Sequence, residues 1–131
     1  MKKVLFVEDD ASLYRMYSIE LELRGYNVVW ESNGGKAFSK AKSESPNLIL
    51  LDIMLPETDG LTILKNLKSD DLTKDIPVFV LTNFGDEENI KKALEGGAED
   101  FILKYKIVPS ELAQKIDTFF HVGSNKGVPI N

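Results

Sequence analysis

Leu48-Ile49-Leu50-Leu51-Asp52-Ile53-Met54-Leu55-Pro56-Glu57-Thr58-Asp59-Gly60 is the stretch that decides the fold. Four aliphatic residues run without interruption into one aspartate, and a Pro/Asp/Gly cluster follows. A continuous apolar run of that length, closed by turn formers, reads as a strand buried on both faces. Asp52 therefore stands at the carboxyl end of a central strand. In open parallel α/β sheets, ligands and chemistry gather along that rim. A carboxylate placed there needs a charge partner or a chemical task.

Outward from this run, strands and helices alternate. Val4-Leu5-Phe6-Val7 is a first buried strand ending at Glu8-Asp9-Asp10, and Asp10 or Ser12 can cap the helix after it. Leu13, Met16, Tyr17, Leu21 and Leu23 give that helix an apolar stripe, with Gly25 suited to the left-handed position past its end. Tyr26 to Trp30 is a second strand, and Asn33-Gly34-Gly35 is a turn. Ala37, Phe38 and Ala41 mark a second helix that stops before Pro46. After the Asp52 strand, Leu61, Ile63, Leu64 and Leu67 mark a third helix. Pro77 to Leu81 is a fourth strand ending at Thr82. Asp86-Glu87-Glu88 opens a fourth helix through Ile90, Ala93 and Leu94, ending at Gly96-Gly97. Asp100 to Leu103 is a fifth strand ending at Lys104. Pro109 fits the first turn of a fifth helix, with Leu112, Ile116 and Phe119 or Phe120 facing inward and Val108 a poor cap. This alternation predicts an α/β fold: a doubly wound five-stranded parallel sheet in the order 2-1-3-4-5.

The bulk composition agrees. A chain of 131 residues, 43% hydrophobic, is large enough to bury a core as one domain. A net charge of −5 argues against a broad basic surface, so no direct nucleic-acid binding is expected. The absence of cysteine excludes disulfides and thiolate metal sites. The apolar run after Lys2-Lys3 is too short for a signal peptide, and nothing approaches a membrane span. We expect a soluble, cytoplasmic domain over residues 1–121 and a Gly/Ser/Asn-rich tail or linker stub over 122–131.

In the order 2-1-3-4-5, the polar strand ends become neighbours. Glu8, Asp9 and Asp10 follow strand one, Asp52 ends strand three, Thr82 ends strand four and Lys104 ends strand five. Clustered carboxylates repel unless they take up protons or share a cation. Oxygen donors without His or Cys favour Mg²⁺, Mn²⁺ or Ca²⁺; Mg²⁺ fits best, since it needs only one or two carboxylates plus a phosphate. Asp52 is then the central oxygen nucleophile of a phosphoryl transfer, with Lys104 and Thr82 as donors to the added oxygens.

Glu8-Asp9, Asp52 with Pro56 and Asp59-Gly60 behind it, Thr82, Gly97-Ala98 and Lys104 stand in order at the strand ends. As a set they resemble a bacterial two-component response-regulator receiver domain of the single-domain type, over the chain to about His121. The resemblance implies a flavodoxin-like three-layer sandwich. It implies that Asp9 and Asp52 coordinate Mg²⁺ directly, Glu8 through water, and the Met54 backbone carbonyl as a further ligand. It implies that Asp52 accepts a phosphoryl group from a sensor histidine kinase or a phosphotransfer protein. Thr82 then shifts toward the phosphate, Lys104 pairs with it, and Phe101 falls where the family's switch aromatic lies. The face of helix four, strand five and helix five would change its affinity for a downstream protein. Such a domain is a signalling phosphoacceptor that assists its own phosphorylation and dephosphorylation, a monomer or weak homodimer.

Two residues depart from the family pattern. Tyr105 stands where the family usually has a cis proline, so we expect either a trans bond with a rearranged loop from Tyr105 to Val108 or a strained cis bond. Phe101 stands where Tyr is frequent, leaving switching to packing alone. The bulk of Met54 and Phe84, two residues beyond Asp52 and Thr82, is expected to slow attack by water on the phosphoryl group. Three other readings compete. An aspartyl-nucleophile phosphohydrolase needs a second carboxylate where Met54 stands. A flavodoxin-like nucleotide binder needs a Gly/Ser/Thr loop where Glu8-Asp9-Asp10 stands. A phosphorylation-independent binding module is favoured only by the Tyr105 departure.

Overall fold

The computed structural model describes residues 1–83 and 87–124. Lys3–Val7 (β1), Asn27–Glu31 (β2), Leu48–Leu51 (β3), Val78–Thr82 (β4) and Asp100–Leu103 (β5) form one parallel sheet. Its order is β2-β1-β3-β4-β5, as expected, and β3 is the central strand. Ala11–Leu23 (α1), Ala37–Glu44 (α2), Gly60–Ser69 (α3), Glu87–Glu95 (α4) and Pro109–Ser124 (α5) cover it.

Period-two alternation along the strands sorts the core into two layers. Leu5, Val7, Ile49, Leu51, Val78 and Val80 face α2, α3 and α4, meeting Ala41, Ile63, Leu64, Leu67 and Ala93. Val4, Phe6, Leu48, Leu50, Phe79 and Leu81 face α1 and α5, meeting Tyr17, Leu21, Leu112 and Ile116. Leu48, Ile49, Leu50 and Leu51 are all fully buried, so both faces of β3 are covered. At ~25 cal/mol per Å² of apolar surface, this double burial is the main source of stability.

Local chemistry sets the element ends. The Asp10 carboxylate accepts from the amides of Ser12 and Leu13 and caps α1. Asp59 does the same for α3, accepting from the Leu61 amide and the Thr62 hydroxyl. Val108 has no capping side chain, but the Glu111 carboxylate accepts from its amide at 3.0 Å, half of a capping box. α5 continues past His121 to Ser124.

Several details differ from expectation. The cluster after Asp52 contains a two-stranded antiparallel hairpin pairing Met54–Leu55 with Thr58–Asp59. Glu57 turns it at φ 60°, a left-handed conformation. Asn33-Gly34-Gly35 leads into a 3₁₀ turn over Gly34–Lys36, capped by Asn33. Met16 and Leu23 are 44% and 77% exposed, because about 100° per residue rotates them off the stripe that Tyr17 and Leu21 define. Leu94 is likewise exposed, leaving Ala93 as the fully buried residue of α4. Asp86, expected to open that helix, lies outside the described residues. Among the described residues there is no cis peptide bond, so Tyr105 follows the rearranged-loop alternative: Lys104–Lys106 form a 3₁₀ turn.

Gly60 holds the loop after β3 in place. A Cβ there would lie 2.2 Å from the Ile53 Cα, and the Gly60 amide donates to the Ile53 carbonyl at 3.3 Å. Gly60→Ala should therefore push helix α3 off the Asp52 loop and destabilise the domain by about 2–4 kcal/mol. Urea unfolding of the two proteins measures this, and an unchanged midpoint would refute the backbone contact.

Candidate functional site

Each strand that feeds the carboxyl rim delivers its polar residue there because the apolar run before it is buried. Glu8 follows β1, Asp52 follows β3, Thr82 ends β4 and Lys104 follows β5. All four are buried, Thr82 completely. With Asp9, Asp10, Leu13, Met54 and Asn83 they line one cleft of about 190 Å³. The expected residues are thus brought together. Phe84 is not among them, since it lies outside the described residues.

The Lys104 ammonium joins two strand ends. It donates to Glu8 Oε1 and, at 2.9 Å, to Asp52 Oδ2. The other Asp52 oxygen accepts from the Met54 amide at 2.8 Å, and the Asp52 amide donates to the Val7 carbonyl at 3.2 Å. The aspartate is therefore fixed from its backbone and from both oxygens. Glu8 Oε2 accepts from the Asp10 amide at 3.2 Å. Met54 presents its amide to the site while its side chain is half exposed. Phe101 is half-buried against the α2–α4 layer.

Oxygens of Glu8, Asp9 and Asp52 lie within 4.8 Å of one another. Among the described residues, three carboxylates thus gather beside a single ammonium. Burial pushes the Glu8 carboxyl up to about 7, against the opposing pull of Lys104. Burial alone would lower Lys104, but the Asp52 and Glu8 carboxylates outweigh it and hold the ammonium above its ordinary value. Apart from that effect of burial, three carboxylates beside one lysine leave the cleft short of positive charge. Oxygen-only donors in a polar cleft with that deficit fit a hard divalent cation.

Two contacts had no signal in the sequence. The Tyr17 hydroxyl, from α1, donates toward the carbonyls of Lys104 and Ile107 at 3.4 and 3.2 Å, bracing the 3₁₀ turn behind the lysine. The Trp30 indole donates to the Glu8 carbonyl at 2.7 Å. Both depend on chain segments that meet only in the fold.

Comparison with known proteins bears on what this cleft is. A family model described as the response regulator receiver domain matches residues 4–117. The phosphate regulon transcriptional regulatory protein PhoB of Pseudomonas aeruginosa is 40% identical over 115 residues, 88% of this chain and 50% of its own. The DNA-binding dual master transcriptional regulator RpaA of Synechocystis is 37% identical over 87% of this chain and 47% of its own. The chain thus spans about half the length of the curated relatives it matches. A CheY-like receiver domain protein of Methanospirillum hungatei superposes with a TM-score of 0.88 at 28% identity, covering 97% of this chain and 99% of its own. The BeF3-activated receiver domain of Klebsiella pneumoniae RstA superposes with a TM-score of 0.80 at 34% identity, over 88% and 96%. Strand order, strand-end chemistry and these similarities agree: the chain belongs to the response regulator receiver domain family.

Proposed function

We propose that this domain is a signalling switch that accepts a phosphoryl group on Asp52 in a Mg²⁺-dependent reaction. The observation that carries this reading is the buried Lys104 ammonium shared by Asp52 and Glu8, with Asp9 beside them. The donor is the phosphohistidine of a sensor histidine kinase or phosphotransfer protein. An Asp52 carboxylate oxygen attacks phosphorus, the P–N bond breaks, and its electron pair stays on the imidazole of the donor. Mg²⁺, when bound, supplies charge neutralisation for the phosphoryl oxygens. Asp9 and Asp52 would hold it directly, Glu8 through water and Met54 through its carbonyl.

The chain's own residues do the rest. The Met54 amide orients Asp52, and Lys104 passes from the carboxylate to the added phosphoryl oxygens. Thr82 turns its hydroxyl to the same oxygens, and Phe101 repacks. The α4–β5–α5 face then changes its affinity for a downstream protein. We place this activity in the cytoplasm, in a domain over residues 1–121, monomeric or weakly dimeric.

Incubation with Mg²⁺ and acetyl phosphate should add one phosphoryl mass to the intact protein and none to Asp52→Ala. Turnover of free phosphomonoesters would instead favour a hydrolase.

Lys104→Ala leaves two buried carboxylates unpaired. It should destabilise the metal-free protein by about 3 kcal/mol and tighten Mg²⁺ binding, while slowing phosphorylation. Urea melts and Mg²⁺ titration read the first two effects; weaker Mg²⁺ binding would contradict the charge-deficit account.

Glu8 gives a pH signature without metal. Its folded value of about 7 exceeds the ordinary 4.5, so across that window the folded state holds a proton that the unfolded state has lost. Stability should fall as pH rises from about 4.5 to about 7, then level off. Glu8→Gln should abolish that slope and be the more stable form at pH 8 by roughly 3 kcal/mol. Unfolding at pH 5 and pH 8 decides the sign.

A further inference from the structure

The peptide linking Glu8 to Asp9 leaves β1 where its pairing with β2 ends. The Glu8 amide still donates to the Glu31 carbonyl at 3.0 Å. A parallel ladder would next bring the amide of residue 33 onto the Glu8 carbonyl. The Asn33 amide instead folds back onto Glu31 Oε2 at 2.9 Å. The Glu8 carbonyl is taken by a side chain, the Trp30 indole Nε1, at 2.7 Å. Trp30 projects from β2 beside Phe6, its register partner in β1. Its ring lies flat on Tyr14 of α1, centroids 4.6 Å apart and planes within 9°. Tyr14 in turn meets the Phe6 ring edge-on at 5.6 Å. The indole is held on one face by α1 and aims its donor at one carbonyl.

We propose that Trp30 is a positioning residue for the acidic pair: its N–H replaces the missing ladder donor and fixes the plane of the Glu8–Asp9 peptide. Because that unit is planar, fixing its carbonyl also fixes the line between the Glu8 and Asp9 Cα atoms, from which both side chains start. Trp30 touches neither the reacting carboxylate nor the cation and acts through Glu8. This inference rests on the reading that Glu8 and Asp9 serve a divalent cation. It goes beyond that reading by making cation affinity depend on a residue of β2.

The test is Trp30→Phe, which keeps an aromatic ring on Tyr14 and deletes the donor. Mg²⁺ affinity is measured by calorimetry, and amide exchange of Asp9 and Asp10 in the metal-free protein by NMR. We expect Mg²⁺ affinity to fall about tenfold, as for other partners that orient metal ligands. Exchange of the two amides should speed several-fold, with thermal unfolding of the metal-free protein little changed. Affinity within twofold of wild type overturns the proposal. So does a loss of affinity matched by an equal loss of metal-free stability, which would mark ordinary packing. If the wild type takes up no Mg²⁺, the cation reading fails separately. The exchange experiment then decides alone, and unaltered Asp9 and Asp10 amides overturn the clamp.

Discussion

One buried ammonium between two carboxylates is the constraint on which the site depends. Lys104, Glu8 and Asp52 have side-chain exposures of 5%, 1% and 6%, so each would be costly to bury without the others. The hydrophobic sheet does not need them. They need the sheet, because only its buried runs bring three strand ends to one point and exclude water from their contacts. The apolar core is therefore the scaffold and the ion triad its functional load. The triad is also incomplete as a charge balance, since Asp9 adds a third acid. That residual deficit is what a hard cation at this cleft would offset.

The same rim shows how backbone geometry supports side-chain chemistry. Asp52 is held through its own amide by Val7 and through one oxygen by the Met54 amide, so a single oxygen is left to the lysine. Gly60 lets α3 approach Ile53 closely enough to fix the loop that carries Met54. Asp59 then caps that helix. Each contact is local, and together they hold a carboxylate at a defined angle without rigid covalent support.

The sheet and the site were legible for one reason. Strands buried on both faces are uninterrupted apolar runs, and the first polar residue after each run is placed by the topology. Once Leu48–Leu51 and its counterparts are recognised, Glu8, Asp52, Thr82 and Lys104 follow. Features set by tertiary proximity were not legible. The Met54–Asp59 hairpin pairs too few residues to show a periodicity. Met16 and Leu23 look apolar enough for the core, but α1 buries one stripe and presents them to solvent. The trans turn at Lys104–Lys106 leans on a hydroxyl from Tyr17, which lies 87 residues earlier than Lys104. The indole of Trp30 reaches a carbonyl 22 residues earlier for the same kind of reason.

The Lys104 contacts span 96 and 52 residues of sequence. A chain leaving the ribosome amino end first therefore exposes both acids long before their cation. Until β5 docks beside β4, Glu8 and Asp52 lack the ammonium that pairs with both of them in the folded domain. Parallel strands also pair only after long crossovers, so both contacts are non-local. The ion triad is thus completed only by the edge strand β5, the segment of the sheet most distant in sequence from Glu8.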